Sequence, residues 1–202
     1  MGDQTSTPPL LDGRNLCVLD TCVLVPVSLT DTLLRCAETG LFSPIWSEGI
    51  LSELTRALLQ AHPDQDPRLL QRRVRMMAKA FPGAVHDLTE ERERVVRGLP
   101  DSGDEHVLEL ALSVHASLIV TINLRDFPDE ICNPLGVRAI HPGDLLVAFA
   151  TDAPRLIADV LSSQARDTRS PAMTVSRVVS SLGAHVPDFV SYWRAHPDNP
   201  ES

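Results

Sequence analysis

Apolar positions along this chain follow two spacings. Short, largely apolar runs at 15–20, 42–46, 118–121 and 137–140 have the length and character of buried strands. A weaker one lies at 85–88. Between them the apolar residues recur at helical spacing, through 32–37 before Gly40, through 50–59 after a cap at or near Ser47, and through 105–115 after Asp104. The clearest helix spans 67–81, where Leu70, Val74, Met77 and Phe81 line one face. Arg68, Arg72, Arg75 and Lys79 repeat the same offsets about 160 to 200° round, Arg73 adds to the charge, and Pro82-Gly83 ends the helix. Residues 90–98 read as a charged helical turn or two, 99–103 as a loop and 122–126 as a polar turn. Beyond 142 the pattern is helical throughout, at 144–150, 154–163, 174–183 and 186–194, with breaks at 152–154 and 168–171.

Short apolar strands alternating with helices predict an α/β fold, a parallel sheet covered on both sides, over residues 15–141. Residues 1–14 read as a loose leader and 142–202 as a helical C-terminal extension, and no internal repeat is found. The 202 residues suit one domain with a small appendage. A hydrophobic content of 43% is ample for a core. No window approaches a transmembrane span, and the start has no basic-then-apolar signal. Cys17, Cys22, Cys36 and Cys132 have neither metal-site nor disulfide-scaffold spacing, so the expectation is reduced, mostly buried thiols in the cytoplasm. A formal net charge of −9 argues against nucleic-acid binding by bulk positive charge, though not against a local basic surface.

The acids fall where chemistry is expected. Asp20 ends the first strand, Asp104 opens a helix three residues after Asp101, and Asp126 follows the strand at 118–121. Ligands of open α/β sheets bind beyond the carboxyl ends of the strands, where these positions converge. Glu53 sits within an otherwise apolar helix, and its neighbours suggest that it turns toward the sheet. Several carboxylates in one cleft require a cation or shared protons. Hard oxygen donors without an accompanying Cys/His set point to Mg²⁺ or Mn²⁺, which orients water for attack on a phosphodiester. On spacing alone the rival reading stays open, because Asp is a common helix cap and turn residue.

The stretches LDTCVLVP (19–26), ILSELTRAL (50–58), PDSGDEHVLELAL (100–112) and IVTINLRDFPD (119–129) together resemble the PIN-domain ribonucleases, and within them the VapC-type toxins of bacterial toxin–antitoxin pairs. The resemblance covers about residues 15–141; the extension resembles one in an actinobacterial-looking subgroup. It implies a three-layer α/β/α sandwich around a central parallel sheet, an acidic pocket holding Mg²⁺ or Mn²⁺, an RNA substrate and a small cognate antitoxin. Homodimerisation is frequent in such families. Carried over by position, the acids are Asp20, Glu53, Asp104 and Asp126, with Asp20, Asp104 and Asp126 as metal ligands. Asp101 matches an additional acid, while Thr21 and Asn123 match supporting polar positions. Gly103 departs from the pattern, standing where relatives often carry a further acid.

Arg68, Arg72, Arg75 and Lys79 are candidates for contact with RNA or antitoxin, or a solvated helix face; Arg125, nearer the acids, is a further candidate. His106 reads as a supporting or surface residue, Cys22 as a small buried side chain, and Trp46 and Trp193 as packing. Two rivals to a toxin remain: an RNA-processing PIN nuclease without an antitoxin, and a non-catalytic scaffold that binds RNA or protein. A haloacid-dehalogenase-like phosphatase is rejected, because Cys22 stands where its second Asp would be.

Overall fold

The computed structural model describes residues 15–87, 98–168 and 172–196. The expected leader, the helical turn over 90–97 and part of the break at 168–171 lie outside them. Four strands, β1 (Leu16–Leu19), β2 (Ser43–Ile45), β3 (Leu118–Val120) and β4 (Arg138–Ile140), form an all-parallel sheet in the order β2-β1-β3-β4. Cys17, Val18, Leu19, Ile119 and Val120 are fully buried, which explains why the strands read as apolar runs without alternation. Val85 contributes a single parallel bridge to Trp46 where a short strand was expected.

Helices cover both faces, giving the expected α/β/α sandwich followed by a helical C-terminal part. After β1 come α1 (Thr21–Leu24) and α2 (Val27–Glu38), the first of them a helical turn that its few residues did not reveal. Gly40 ends α2 with φ of +81°, a conformation that side chains disfavour. Then α3 (Glu48–Ala61) starts where Ser47 Oγ accepts the Ile50 N–H, as expected of a capping serine. α4 (Pro67–Ala80) begins at Asp66, whose side chain accepts the Arg68 N–H, with Pro67 in the first turn. α5 (Glu105–Ser113) precedes β3, and α6 (Asp129–Cys132), not foreseen, precedes β4.

Along α4, Leu70, Val74 and Met77 are buried and Arg68, Arg72, Arg75 and Lys79 are exposed. Arg73 is a correction to the charged-stripe reading. It turns inward and donates to the carbonyls of Leu24 (2.8 Å) and Val25 (3.1 Å) and to Thr30 Oγ1 (3.2 Å). These are orphan acceptors at the end of α1, and burial lowers the guanidinium pKa.

The extension comprises α7 (Pro142–Asp152), α8 (Pro154–Asp167), α9 (Val175–Leu182) and α10 (Pro187–Ala195). α8 and α9 pack on α2, and α10 packs on α7. Phe149 of α7 stacks on Phe42 at 5.9 Å between ring centroids, so one core runs from the sheet into the extension. A polar latch pins α8: Thr32 Oγ1 donates to Gln164 Oε1 at 2.8 Å, and Gln164 Nε2 donates to the Ser28 carbonyl at 3.1 Å. Among the described residues no helix is long and apolar enough to cross a membrane. All four cysteines are free, three of them buried and Cys22 half-buried.

Candidate active site

The site is built at the carboxyl ends of β1 and β3. Leu19 stands opposite Val120 in the ladder, so the next residues, Asp20 and Thr121, come side by side. The Asp20 N–H continues the ladder to Val120 O at 3.1 Å. Its side chain is only 6% exposed, and Oδ2 accepts from Thr121 Oγ1 at 2.7 Å and Cys22 Sγ at 2.9 Å. Thr121 Oγ1 in turn accepts the Asn123 N–H at 3.0 Å, which shapes the turn leading to Asp126. Thr121 was visible only within the stretch IVTINLRDFPD, and nothing in the sequence reveals that it grips a carboxylate 101 residues away.

Glu53 turns to the carboxyl end of β1. It is half-buried, and Oε2 accepts from Thr21 Oγ1 at 3.1 Å, which draws the α3 carboxylate to the start of α1. On its other flank is His106. The Nδ1 of His106 lies 2.6 Å from the Gly103 carbonyl and must be its donor. That leaves Nε2 facing Glu53 Oε2 at 3.5 Å, within ion-pair distance but without a hydrogen bond. His106 is thus a neighbour of the acids, in line with a supporting role.

Asp101 has a structural task, since its Oδ1 accepts the Gly103 N–H at 2.8 Å and caps the short 3₁₀ turn that delivers Asp104. A side chain at Gly103 would start 3.0 Å from that same oxygen, so glycine suits the turn. Asp104 then leads into α5. Asp126 closes a 3₁₀ turn after β3, beside a shallow groove of about 470 Å³ that Asn123 and Arg125 also line. Among the described residues neither Arg125 nor the α4 residues Arg68, Arg72, Arg75 and Lys79 form an ion pair.

Electrostatics tie the acids together. The Asp104 carboxyl is pushed up to about 6, first by burial and then by the charges of Asp20, Asp126 and Asp101, with His106 opposing. This accumulation of negative charge on hard oxygens suits Mg²⁺ or Mn²⁺. Among the described residues no three His, Cys, Asp or Glu side chains already stand close enough to hold an ion, so a cation would have to draw the acids inward.

Comparison with known proteins identifies the family. The family described as PIN domain matches residues 17–125. Over 88 residues the chain is 32% identical to a protein of Mycobacterium tuberculosis (strain H37Rv) named "Putative ribonuclease VapC50". That stretch is 44% of this chain and 52% of the relative, so the match spans about half of its length. No solved structure matches with significance.

Proposed function

This chain belongs to the PIN-domain family, and on that premise we propose that it is a Mg²⁺- or Mn²⁺-dependent endoribonuclease acting as the toxin of a toxin–antitoxin pair. The observation that carries the reading is the gathering of Asp20, Asp104 and Asp126 at the carboxyl ends of the strands, where burial first and the neighbouring acids second raise the Asp104 pKa. The name of the mycobacterial relative supports the choice of RNA and of the VapC type.

In this reading Asp20, Asp104 and Asp126 hold the cation, with residues 15–141 as the nuclease domain. A bound divalent ion would neutralise the acids and offset charge building up on the scissile phosphate. Asp20 is fixed for that task because Oδ2 is already occupied by two donors, which leaves Oδ1 for the ligand. Glu53 orients the attacking water. Thr21 holds its Oε2, and Oε1 has no partner among the described residues. Arg125, beside Asp126, and the exposed face formed by Arg68, Arg72, Arg75 and Lys79 supply the positive charge for the RNA backbone or for an acidic antitoxin.

The test is cleavage of a mixed pool of tRNA and structured rRNA fragments by the purified chain. Mg²⁺ or Mn²⁺ should support discrete cuts. EDTA should abolish them, and Asp20→Asn should reduce them by at least about 100-fold. Uncut RNA throughout, with the chain folded and free of any antitoxin, would favour the binding scaffold.

A further inference from the structure

Cys22 is the second of the two donors on Asp20 Oδ2, and it also reaches the turn after β3. Its Sγ stands 2.9 Å from Asp20 Oδ2, 3.3 Å from Thr121 Oγ1, and accepts the Ile122 N–H at 3.2 Å. Counting protons decides the direction of these bonds. The carboxylate has none to give, and the thiol and the hydroxyl have one each. Thr121 gives its proton to Oδ2 at 2.7 Å, and the thiol gives its own to the same oxygen. The sulfur and the Thr121 oxygen then act as acceptors for two successive backbone N–H groups, those of Ile122 and Asn123.

We propose that Cys22 is a positioning residue for the cation site: its S–H occupies Asp20 Oδ2, leaving Oδ1 as the ligating oxygen, while its sulfur anchors the turn that presents Asn123 and Asp126. The proposal rests on the reading of Asp20 and Asp126 as cation ligands. The short α1 turn brings residue 22 back over residue 20, and the β1–β3 register brings the 121–123 turn alongside, so one side chain links both ligand-bearing segments. The contact with Asp20 Oδ2 makes the thiol a hydrogen-bond donor in this site and not a nucleophile.

Groups that orient metal ligands through hydrogen bonds typically change metal affinity 10- to 100-fold when removed. The experiment is a calorimetric titration of Mn²⁺ into the metal-free full chain for wild type, Cys22→Ser, Cys22→Ala and Asp20→Asn, each checked by circular dichroism. RNA cleavage is followed at several Mn²⁺ concentrations. Cys22→Ala should weaken Mn²⁺ binding about 10-fold, with cleavage restored by excess Mn²⁺ and KM for RNA unchanged. Cys22→Ser, which keeps a donor and an acceptor, should stay within about 3-fold of wild type. Cys22→Val, of similar bulk and without either bond, replaces the alanine chain should that one fail to fold. Wild-type affinity in folded Ala or Val chains would overturn the proposal, as would equal losses in the Ser and Ala chains. A wild type that binds no Mn²⁺, or an Asp20→Asn chain that still binds it, would instead remove the cation reading itself.

Discussion

Asp104 carries the electrostatic cost of the site. Its carboxyl titrates near 6 in the folded chain against an ordinary value of 3.8. The folded state therefore binds the proton more tightly, and this group's stabilising contribution is full below about 3.8 and is lost as pH rises through about 6. Asp104→Asn removes the repulsion. At pH 7.5 the metal-free variant should be more stable than wild type, by up to about 1 kcal/mol once solvent screening is allowed for. It should lack the loss of stability between pH 4 and 6, and it should not cleave RNA; urea melts across pH in EDTA check this. The acids themselves were legible, because Asp at a strand end or helix start is conspicuous in a sequence. Their attendants were not. Thr121 reaches Asp20, and Cys22 meets Thr121, through the register of two strands about 100 residues apart, and no local pattern encodes that.

At the level of elements, α4 shows where periodicity succeeds and where it stops. Its buried and charged faces were read correctly, but Arg73 lies at their border and is claimed by the carbonyls of Leu24 and Val25. Arg73→Gln should cost about 1–3 kcal/mol, since those acceptors lose a charged donor in a half-buried place. Arg72→Gln and Arg75→Gln should change stability by less than about 0.5 kcal/mol. If this face meets RNA, each should lower the salt dependence of binding by about 0.7 in the log–log slope. Urea melts and binding at several salt concentrations separate the two classes. The strands were legible because sheets buried on both faces give continuous apolar runs. Helices α1 and α6 were not, being four residues each and too short for a helical repeat to register.

Across the whole molecule the C-terminal extension is part of the core. Phe149 stacks on Phe42, and the Thr32–Gln164 pair is buried, with Thr32 at 0% and Gln164 at 4% exposure. A chain ending at residue 141 would uncover this polar pair and the apolar surface of α2. It should aggregate or melt well below the full-length protein, as thermal unfolding with light scattering would show. The sequence marked the extension as helical but left its role open, because docking on α2 depends on side chains more than 100 residues apart. The acidic excess of the chain, −9 overall, coexists with an exposed basic face on α4; in the proposed function the acids serve a cation and the basic face a polyanion. The central claim, that Asp20, Asp104 and Asp126 share one divalent ion needed for RNA cleavage, is tested most directly by Mn²⁺ titration of the metal-free chain beside cleavage of one defined RNA. The account predicts saturable Mn²⁺ binding that tracks cleavage, with both lost in Asp20→Asn and Asp104→Asn. Cleavage that persists in EDTA, or Mn²⁺ binding untouched by either substitution, would contradict it.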